Sequence, residues 1–325
     1  LGAMEMALAA HNAGGLVIAQ VKRVAQNGSI RPHDVHIPGI LVDLIVEAPE
    51  QLQTTATKYD PAISGELLRP MHTFKNVNFN VGKVIARRVA QELKHGWAVN
   101  IGFGISTNVP RIFNEEGLHG SVTWMIEQGA VGGVPLLDFK FGCSANAEAF
   151  IASPHQFAYF QAGGFDASLL SFLEVSKDGS VNVSRLRGVP HRTAGSGGFV
   201  DITSRARKIV FSGNFNVGAK VGIKDGCLII HKEGIAAKFV DEVDQVTFSG
   251  LRATEQGQDV TYVTERCVIR LLNGKLVVTE IAPGIDLQRD ILNQATTSMI
   301  VSDNLKTMDA NLFYPKLMQL SLVKA

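Results

Sequence analysis

The chain has 325 residues, of which 46% are hydrophobic and 19% are charged, and its formal net charge at pH 7 is +1. This composition is typical of a globular protein with a large core and two lobes, and the near-neutral charge gives no reason to expect a nucleic acid or an anionic membrane as a partner. No apolar run reaches the roughly 18 residues that a membrane-spanning helix needs, and the first ten residues lack the basic region of a signal peptide.

The cysteines and histidines show no metal-binding or disulfide pattern. Cys143, Cys227 and Cys267 are an odd number of thiols without the spacing of metal ligands. None of the nine histidines lies at ligand spacing from a cysteine or another histidine. We therefore expect no metal site, no disulfide framework and a reducing, cytoplasmic location.

Residues 1–46 are predicted to hold one helix and two strands. Residues 3–13 have a helical pattern that two glycines end, but no N-cap precedes it. The apolar runs over residues 16–21 and 40–46 predict strands covered on both faces, as in a parallel sheet. Because the chain opens inside a helix, we expect a preceding half or a complementary subunit.

Prolines and weak periodicity predict an excursion loop over residues 47–80, before an α/β core over residues 81–220. In that core, a 3.6-residue period predicts a helix from residue 81 to residue 95. A strand at 98–101, a glycine turn, a helix near 107–116 and a strand ending at Glu127 follow. This succession predicts a βαβ unit.

The rest of the chain is predicted to alternate helices and strands and then to become β-rich from residue 221 to residue 325. Lys224-Asp225-Gly226 and Leu272-Asn273-Gly274 are hairpin signals in this C-terminal extension. Further predicted elements are helices near 155–161, 202–206 and 286–294, strands at 167–175 and 208–211, and a hairpin from the former strand to residues 181–183.

Glu127 is the first candidate for chemistry. The strand over residues 122–126 delivers it to a carboxyl end, and Gly129 follows two residues later. A strand that ends on a charged group and then turns sharply is typical of sites in α/β sheets. A glutamate that caps a strand and faces water would give the same pattern.

The glycine clusters are weaker signals. Gly102-Phe103-Gly104 follows a strand, but Thr107 stands where a dinucleotide fingerprint has its third glycine. Residues 213–220 lack the Ser or Thr that follows the lysine of a P-loop. Gly195-Ser196-Gly197-Gly198 precedes a predicted helix and suits an anionic ligand group, although a flexible loop is equally consistent. Cys267 lies in mid-strand and is predicted to be a buried small hydrophobe.

A carboxylate such as Glu127 can act as a covalent nucleophile toward an activated acyl group. This use requires the ionised form, with a pKa near the ordinary value of about 4.3. It also requires backbone N–H donors for the developing oxyanion. Glycine loops such as residues 102–104 and 162–164 are suitable sources.

In their chain order, these motifs resemble family I coenzyme A transferases, more narrowly the catalytic half of single-chain short-chain acyl-CoA transferases of the acetate and propionate type. Ile126 and Gln128 flank the glutamate, where the two-subunit 3-oxoacid relatives have Ser-Glu-Asn-Gly. The matching motifs are residues 12–15, 17–21, 37–43 and 100–105, Glu127-Gln128-Gly129 with Gly132-Gly133, Gly163-Gly164-Phe165-Asp166, residues 195–201, Thr264-Glu265-Arg266, residues 280–286 and Met308-Asp309.

The resemblance implies a fold and a mechanism. The fold is an α/β open, mostly parallel sheet with flanking helices and a β-rich C-terminal extension. Glu127 would attack an acyl-CoA, form a mixed anhydride and then a glutamyl-CoA thioester, and so transfer CoA to a carboxylic acid by a ping-pong mechanism. The N–H groups of Gly163 and Gly164 would form part of the oxyanion hole. The glycines expected near CoA are Gly102, Gly104, Gly129, Gly195, Gly197 and Gly198.

The resemblance also sets the expected partners and leaves alternatives. The partners would be an acyl-CoA, a short-chain carboxylate and the family's N-terminal half or a complementary subunit, in a homo-oligomer without a permanently bound cofactor. One alternative is a short-chain acyl-CoA hydrolase that uses the same glutamate. Another is a non-catalytic subunit or regulatory chain.

Overall fold

The computed structural model describes residues 2–55, 57–188 and 193–325; residues 1, 56 and 189–192 of the predicted junction, excursion and core segments lie outside this description. Its helices are α1 (Ala3–Asn12), α2 (Val81–Ala90), α3 (Val109–Glu115), α4 (Ser153–Gln161), α5 (Phe199–Arg205), α6 (Gly250–Glu255) and α7 (Leu287–Asp290). None of them is long and apolar enough to cross a bilayer.

Its strands fall into one large sheet and several small ones. In chain order they are β1 (Ile18–Val21), β2 (Leu44–Glu47), β3 (Ala98–Ile101), β4 (Thr123–Met125), β5 (Ala130–Val131), β6 (Val134–Pro135), β7 (Ser144–Ala145), β8 (Ala149–Phe150), β9 (Ala167–Ser171), β10 (Glu174–Ser176), β11 (Val181–Asn182), β12 (Lys208–Ser212), β13 (Asn216–Val217), β14 (Lys220–Lys224), β15 (Cys227–Lys232), β16 (Ala236–Ala237), β17 (Phe239–Val240), β18 (Asp259–Val263), β19 (Cys267–Leu272), β20 (Lys275–Ile281) and β21 (Ile300–Thr307).

The large sheet has the strand order β21-β20-β19-β18-β12-β9-β3-β4-β5-β8. Its central strands β18, β12, β9, β3 and β4 all run parallel, and antiparallel strands flank them on both sides. Every residue of β12 is buried, which explains its nearly continuous apolar sequence. The predicted fold class, an open and mostly parallel α/β sheet, is confirmed.

The predicted βαβ unit is β3–α3–β4, in which Val99 of β3 pairs with Trp124 of β4. The preceding helix α2 begins at the cap residue Asn80, whose side chain accepts the N–H of Lys83 at 2.9 Å. It ends at Ala90 and not at residue 95 as predicted. Glu92 lies just beyond this end, where it forms ion pairs with Lys208 and Arg270 at 2.7 and 2.8 Å.

The strands β1 and β2 pair in parallel as predicted, but the prediction that both faces are covered is wrong for the described residues. The pair forms its own two-stranded sheet. Ile18, Leu44 and Ile45 are each more than half exposed. The apolar runs therefore mark a surface that the described residues do not cover.

In the C-terminal region, the turn residues predicted the hairpins correctly. Both predicted hairpins form, and at each the Asp or Asn before the glycine has a φ of +51°. The helix predicted over 286–294 is shorter than expected, since α7 is followed by a 3-10 turn at Leu292–Gln294. The eight-residue strand β21 comes after it and extends the large sheet.

The segment between β2 and α2 forms a second, smaller core. Its described residues hold a 3-10 turn at Met71–Thr73 and an isolated bridge between Thr54 and Thr57. Its apolar side chains pack on β6, β7 and the segment that joins them. The buried members of this core are Ala62, Ile63, Phe74, Val134, Leu136 and Ala145.

Candidate active site

Glu127 stands in a tight turn at the carboxyl end of β4. Ile126 is fully buried, and its N–H donates to the carbonyl of Ala130 at 3.0 Å. The N–H of Gly129 donates back to the carbonyl of Ile126 at 2.9 Å. Gly129 has a φ of +109°, which residues with a side chain rarely adopt. The turn thus reverses the chain and leaves the side chain of Glu127 free to project from the edge of the sheet.

The side chain of Glu127 enters a cleft of about 450 Å³ at the carboxyl ends of β3, β4 and β9. This is the edge at which parallel α/β sheets bind ligands. Apolar and aromatic side chains make up most of the wall, and a glycine loop closes one side. The wall consists of Ile101, Gly102, Phe103, Phe141, Leu170, Ser171, Phe172, Leu173, Val183, Ala194, Gly195, Ser196, Gly197, Gly198, Phe199 and Ile202.

Two neighbours interact directly with the carboxylate of Glu127. The side-chain amide of Gln128 donates to its Oε1 at 3.2 Å, and the main-chain N–H of Gly198 faces it from the glycine loop. Burial raises the pKa of Glu127 above its ordinary value, and these two donors oppose the rise. The pKa of Glu127 is therefore higher than the ordinary value that the sequence-based mechanism assumed.

The glycine loop approaches Glu127 so closely that a side chain has no room at Gly198. A Cβ there would lie 2.4 Å from Cε1 of Phe157 and 2.6 Å from Oε2 of Glu127. Gly195 and Gly197 have φ values of +76° and +52°. The glycines therefore permit both the shape of the loop and its contact with the carboxylate.

The loop is held in place on both sides. Before the glycines, the N–H of Ala194 donates to the carbonyl of Ser184 at 2.8 Å. After them, Phe199 of α5 stacks on Phe211 of β12 at a ring distance of 5.9 Å. These contacts tie the loop to the segment after β11 on one side and to the large sheet on the other, and so set its position relative to Glu127.

The turn after β3 supplies the opposite wall. Gly102 lines the cleft and donates its N–H to the carbonyl of Leu169 at 2.8 Å. A Cβ at Gly102 would lie 2.6 Å from Cδ2 of Leu170, so glycine lets this turn lie against β9. Gly104, with a φ of +123°, packs on Ser171. Of the glycines expected near CoA, Gly104 and Gly129 shape turns, whereas Gly102, Gly195, Gly197 and Gly198 line the cleft.

The structure does not bring Gly163 and Gly164 to the cleft. They follow α4 and precede β9, so they lie at the amino end of a strand whose carboxyl end faces Glu127. Their N–H groups donate to the carbonyls of Phe160 and Tyr159 at 3.0 and 3.2 Å, as at the end of a helix. This geometry does not support the expected oxyanion role, because these donors are already used at the end of α4 and lie at the amino end of β9, away from the cleft.

Sequence reasoning also missed most of the cleft wall. Phe172 lies where a continuous strand was predicted, but β9 ends at Ser171 and β10 begins at Glu174. Phe103, in the glycine turn after β3, lines the cleft, while the aromatic residues Trp124 and Phe165 are buried in the core. The sequence signal that could have identified Phe172 as a cleft residue is the break between β9 and β10, just beyond the carboxyl end of β9.

Cys267 is fully buried, as predicted, and burial raises the pKa of its thiol to about 12. It is therefore a packing residue and not a nucleophile at neutral pH. Among the residues that the structure describes, no three His, Cys, Asp or Glu side chains converge in a way that could hold a metal ion.

Comparison with known proteins gives no match to a protein-family model. The chain is 44% identical over 318 residues to the caffeate CoA-transferase of Acetobacterium woodii, covering 96% of this chain and 61% of that protein. It is 30% identical over 213 residues to the acetate CoA-transferase subunit beta of Escherichia coli K12, covering 62% of this chain and 86% of that subunit.

The fold likewise matches a solved structure. The crystal structure of the acyl-CoA transferase YdiF from Escherichia coli O157:H7, in a thioester complex with CoA, aligns with a TM-score of 0.89 and 36% identity, covering 100% of this chain and 60% of that one. The chain thus spans about three fifths of the length of its long relatives. Together with the open parallel sheet and the glutamate at its edge, these similarities establish that the chain belongs to the family I coenzyme A transferases.

Proposed function

We propose that this chain transfers CoA between an acyl-CoA and a carboxylic acid, with Glu127 as the covalent nucleophile. One observation carries the proposal: the Glu127 carboxylate projects into an apolar cleft, directly opposite the N–H of Gly198. An apolar wall weakens the hydration of the carboxylate, and a fixed backbone donor stabilises charge that develops on it. The CoA-transferase names of the relatives support the same reaction.

The reaction would proceed in balanced steps. An oxygen of Glu127 attacks the acyl carbonyl, the C–S bond breaks, and CoA leaves as a thiolate with a mixed anhydride on the enzyme. The thiolate then attacks the carboxyl carbon of Glu127, which forms a glutamyl-CoA thioester and releases the first carboxylate. The acceptor acid reverses both steps, so no net oxidation or phosphorylation is required.

Gly198 would serve the second of these steps. Attack of the thiolate on the carboxyl carbon of Glu127 places negative charge on one of the oxygens of that same side chain. The N–H of Gly198 already faces this carboxylate in the resting structure. It would therefore stabilise the tetrahedral intermediate without reorganisation, which is the usual requirement for an oxyanion donor.

The cleft wall bears on the acyl group. Phe103 and Phe141 contact each other edge to face at 5.7 Å, and both line the cleft with Phe172 and Phe199. Such a wall favours an apolar acyl chain over a charged one. Because relatives are named for acetate and for caffeate, we take the acetyl and caffeoyl esters of CoA as the first two donors to compare.

We further propose that the active protein includes polypeptide beyond these 325 residues, in a cytoplasmic oligomer. The long relatives extend well past the matched region, and apolar side chains of β1 and β2 are exposed. The three cysteines are an odd number without the spacing of a disulfide framework, which favours a reducing compartment. Light scattering of the purified protein would give the oligomeric state.

The decisive experiment is intact-mass analysis of the complete protein after incubation with acetyl-CoA or caffeoyl-CoA and a quench in cold acid. We expect a CoA-sized adduct on Glu127 that disappears when the acceptor acid is added. Glu127→Gln should form no adduct, whereas Glu255→Gln, at an exposed position on α6, should behave as the wild type. Free CoA without an adduct would instead indicate a hydrolase, and neither adduct nor turnover would indicate a non-catalytic chain.

A further inference from the structure

A second cavity, of about 590 Å³, lies between the excursion segment and the start of α3. Four of its lining residues are cationic, namely Arg69, Lys75, Arg111 and Lys140. Two are anionic, Asp60 and Asp138, which leaves two positive charges in excess. The apolar side chains of Ile63, Phe74, Leu136 and Leu137 form part of the same wall. The cavity is thus a partly open, positively charged space outside the cleft that holds Glu127.

Arg111 is the unusual member of this cavity. It is only 8% exposed, yet within the described ranges its guanidinium takes part in no ion pair or hydrogen bond, and its Nε is buried without a partner. Its guanidinium lies over the ring of Phe74 at 4.7 Å. Burial, and then repulsion from Arg69, lower the pKa of Arg111. Burying a cation without a counter-charge costs free energy, and an anion bound beside Arg111 would offset that cost.

The neighbours of Arg111 are fixed in advance. Arg69 forms an ion pair with Asp60, and its main-chain N–H and carbonyl both bond to the side chain of Asn146 at 2.7 and 2.8 Å. Thr57, also on the wall, has a buried hydroxyl that finds no partner among the described residues. The cavity therefore contains, besides Arg111, the unpaired hydroxyl of Thr57 and the side chain of Arg69, whose position is fixed by its partners.

We propose that this cavity binds a phosphate group, with Arg111 as its principal ligand. A guanidinium donates to phosphate through two parallel N–H groups, and a phosphate monoester carries close to two negative charges at neutral pH. That charge matches the excess of two positive charges on the wall. Asp60 does not oppose it, because its oxygens are engaged with Arg69 and with the N–H of Ala62. Asp138 is exposed and lies at the rim.

The phosphate group has two possible sources, and the position of the cavity bears on both. Lys140 lines this cavity, and the next residue, Phe141, lines the Glu127 cleft. The two spaces therefore adjoin across one short segment. A phosphate of a CoA ester held in the cleft is one source, and free phosphate or a separate phosphate ester is the other. Binding of phosphate itself does not depend on the proposed transfer reaction.

The test is calorimetric titration of the complete protein with inorganic phosphate and with adenosine 3′,5′-bisphosphate, at constant ionic strength set by chloride. We expect Arg111→Met to weaken binding of both by at least about tenfold, the value of one charge-assisted hydrogen bond. Arg207→Met, which removes an exposed arginine at the opposite edge of the sheet, should leave binding unchanged. Without phosphate, Arg111→Met should melt no lower than the wild type, because it removes an unpaired buried charge.

Kinetics with acyl-CoA then separate the sources. If CoA supplies the phosphate, Arg111→Met raises KM for acyl-CoA about tenfold with kcat unchanged, and phosphate competes with acyl-CoA. If phosphate acts alone, KM is unchanged and phosphate does not compete. Equal phosphate affinity of the wild type and Arg111→Met would overturn the proposal. A structure of the complete protein in which a carboxylate pairs with Arg111 would overturn it as well. Because calorimetry requires no turnover, these results are independent of the role of Glu127.

Discussion

Substitution of Gly198 by alanine should displace the nucleophile, together with the ring of Phe157, while the backbone fold is kept. Gly198 has φ and ψ of −81° and 9°, so alanine there does not require the left-handed conformation that strains residues with a side chain. The added Cβ would lie 2.4 Å from Cε1 of Phe157 and 2.6 Å from Oε2 of Glu127, where ordinary contact begins at about 3.4 Å, so the Phe157 ring must also shift. The carboxylate, as the flexible end of its side chain, must therefore retreat by about 0.8 Å. A misplacement of about 1 Å costs on the order of 100-fold in rate, or about 2.7 kcal/mol of transition-state stabilisation.

We would measure kcat/KM of Gly198→Ala with acyl-CoA and acceptor acid, together with the melting temperature and the yield of the covalent adduct. The expected result is a loss of about 100-fold in kcat/KM and slower adduct formation, with a native melting transition. Gly39→Ala is the matched control, because its φ is not positive and a Cβ there meets no atom within 4 Å. Retention of activity within threefold in Gly198→Ala would refute the proposed contact between loop and nucleophile.

Three further predictions concern charge and burial. Burial raises the pKa of Glu127, so the ionised carboxylate destabilises the folded state. Glu127→Gln should therefore unfold at a higher urea concentration than the wild type at pH 8, and this difference should vanish below about pH 4.5. A difference in urea midpoint that stays constant with pH would contradict this explanation. Burial alone would raise the pKa of Glu92. The positive charges of Arg88, Lys208 and Arg270 outweigh that effect and lower the pKa of Glu92 to about 2. Glu92→Gln should accordingly lose about 3 kcal/mol of unfolding free energy at pH 7, a loss that shrinks as the pH falls from 4.5 toward 2; the same loss in the exposed Glu255→Gln would argue against this cause. Iodoacetamide should modify half-buried Cys227 in the native protein and spare Cys267, as peptide mass mapping would reveal; equal modification would mean that β19 opens readily.

Local sequence determined those parts of the protein that depend on neighbouring residues. Asp225-Gly226 and Asn273-Gly274 specify hairpin turns through their own backbone preferences. The mostly apolar run at residues 208–211 specifies the strand β12, although only the packing decides that β12 is buried and that the apolar runs of β1 and β2 are not. Glu127, followed by the glycine that permits its turn, specified the candidate nucleophile for the same reason, because one short segment contains the strand, the carboxylate and the reversal.

The tertiary structure alone decided which glycine faces the nucleophile. Gly163 and Gly198 both lie in glycine pairs next to a helix, and nothing in either motif says at which edge of the sheet it will stand. Strand direction places Gly163 at the amino end of β9, where the end of α4 uses its N–H, and it places Gly198 against Glu127. The unpaired state of Arg111 was equally invisible in the sequence. Whether a buried arginine has a counter-charge depends on segments far apart in the chain, and only their packing brings these together or leaves the cation alone.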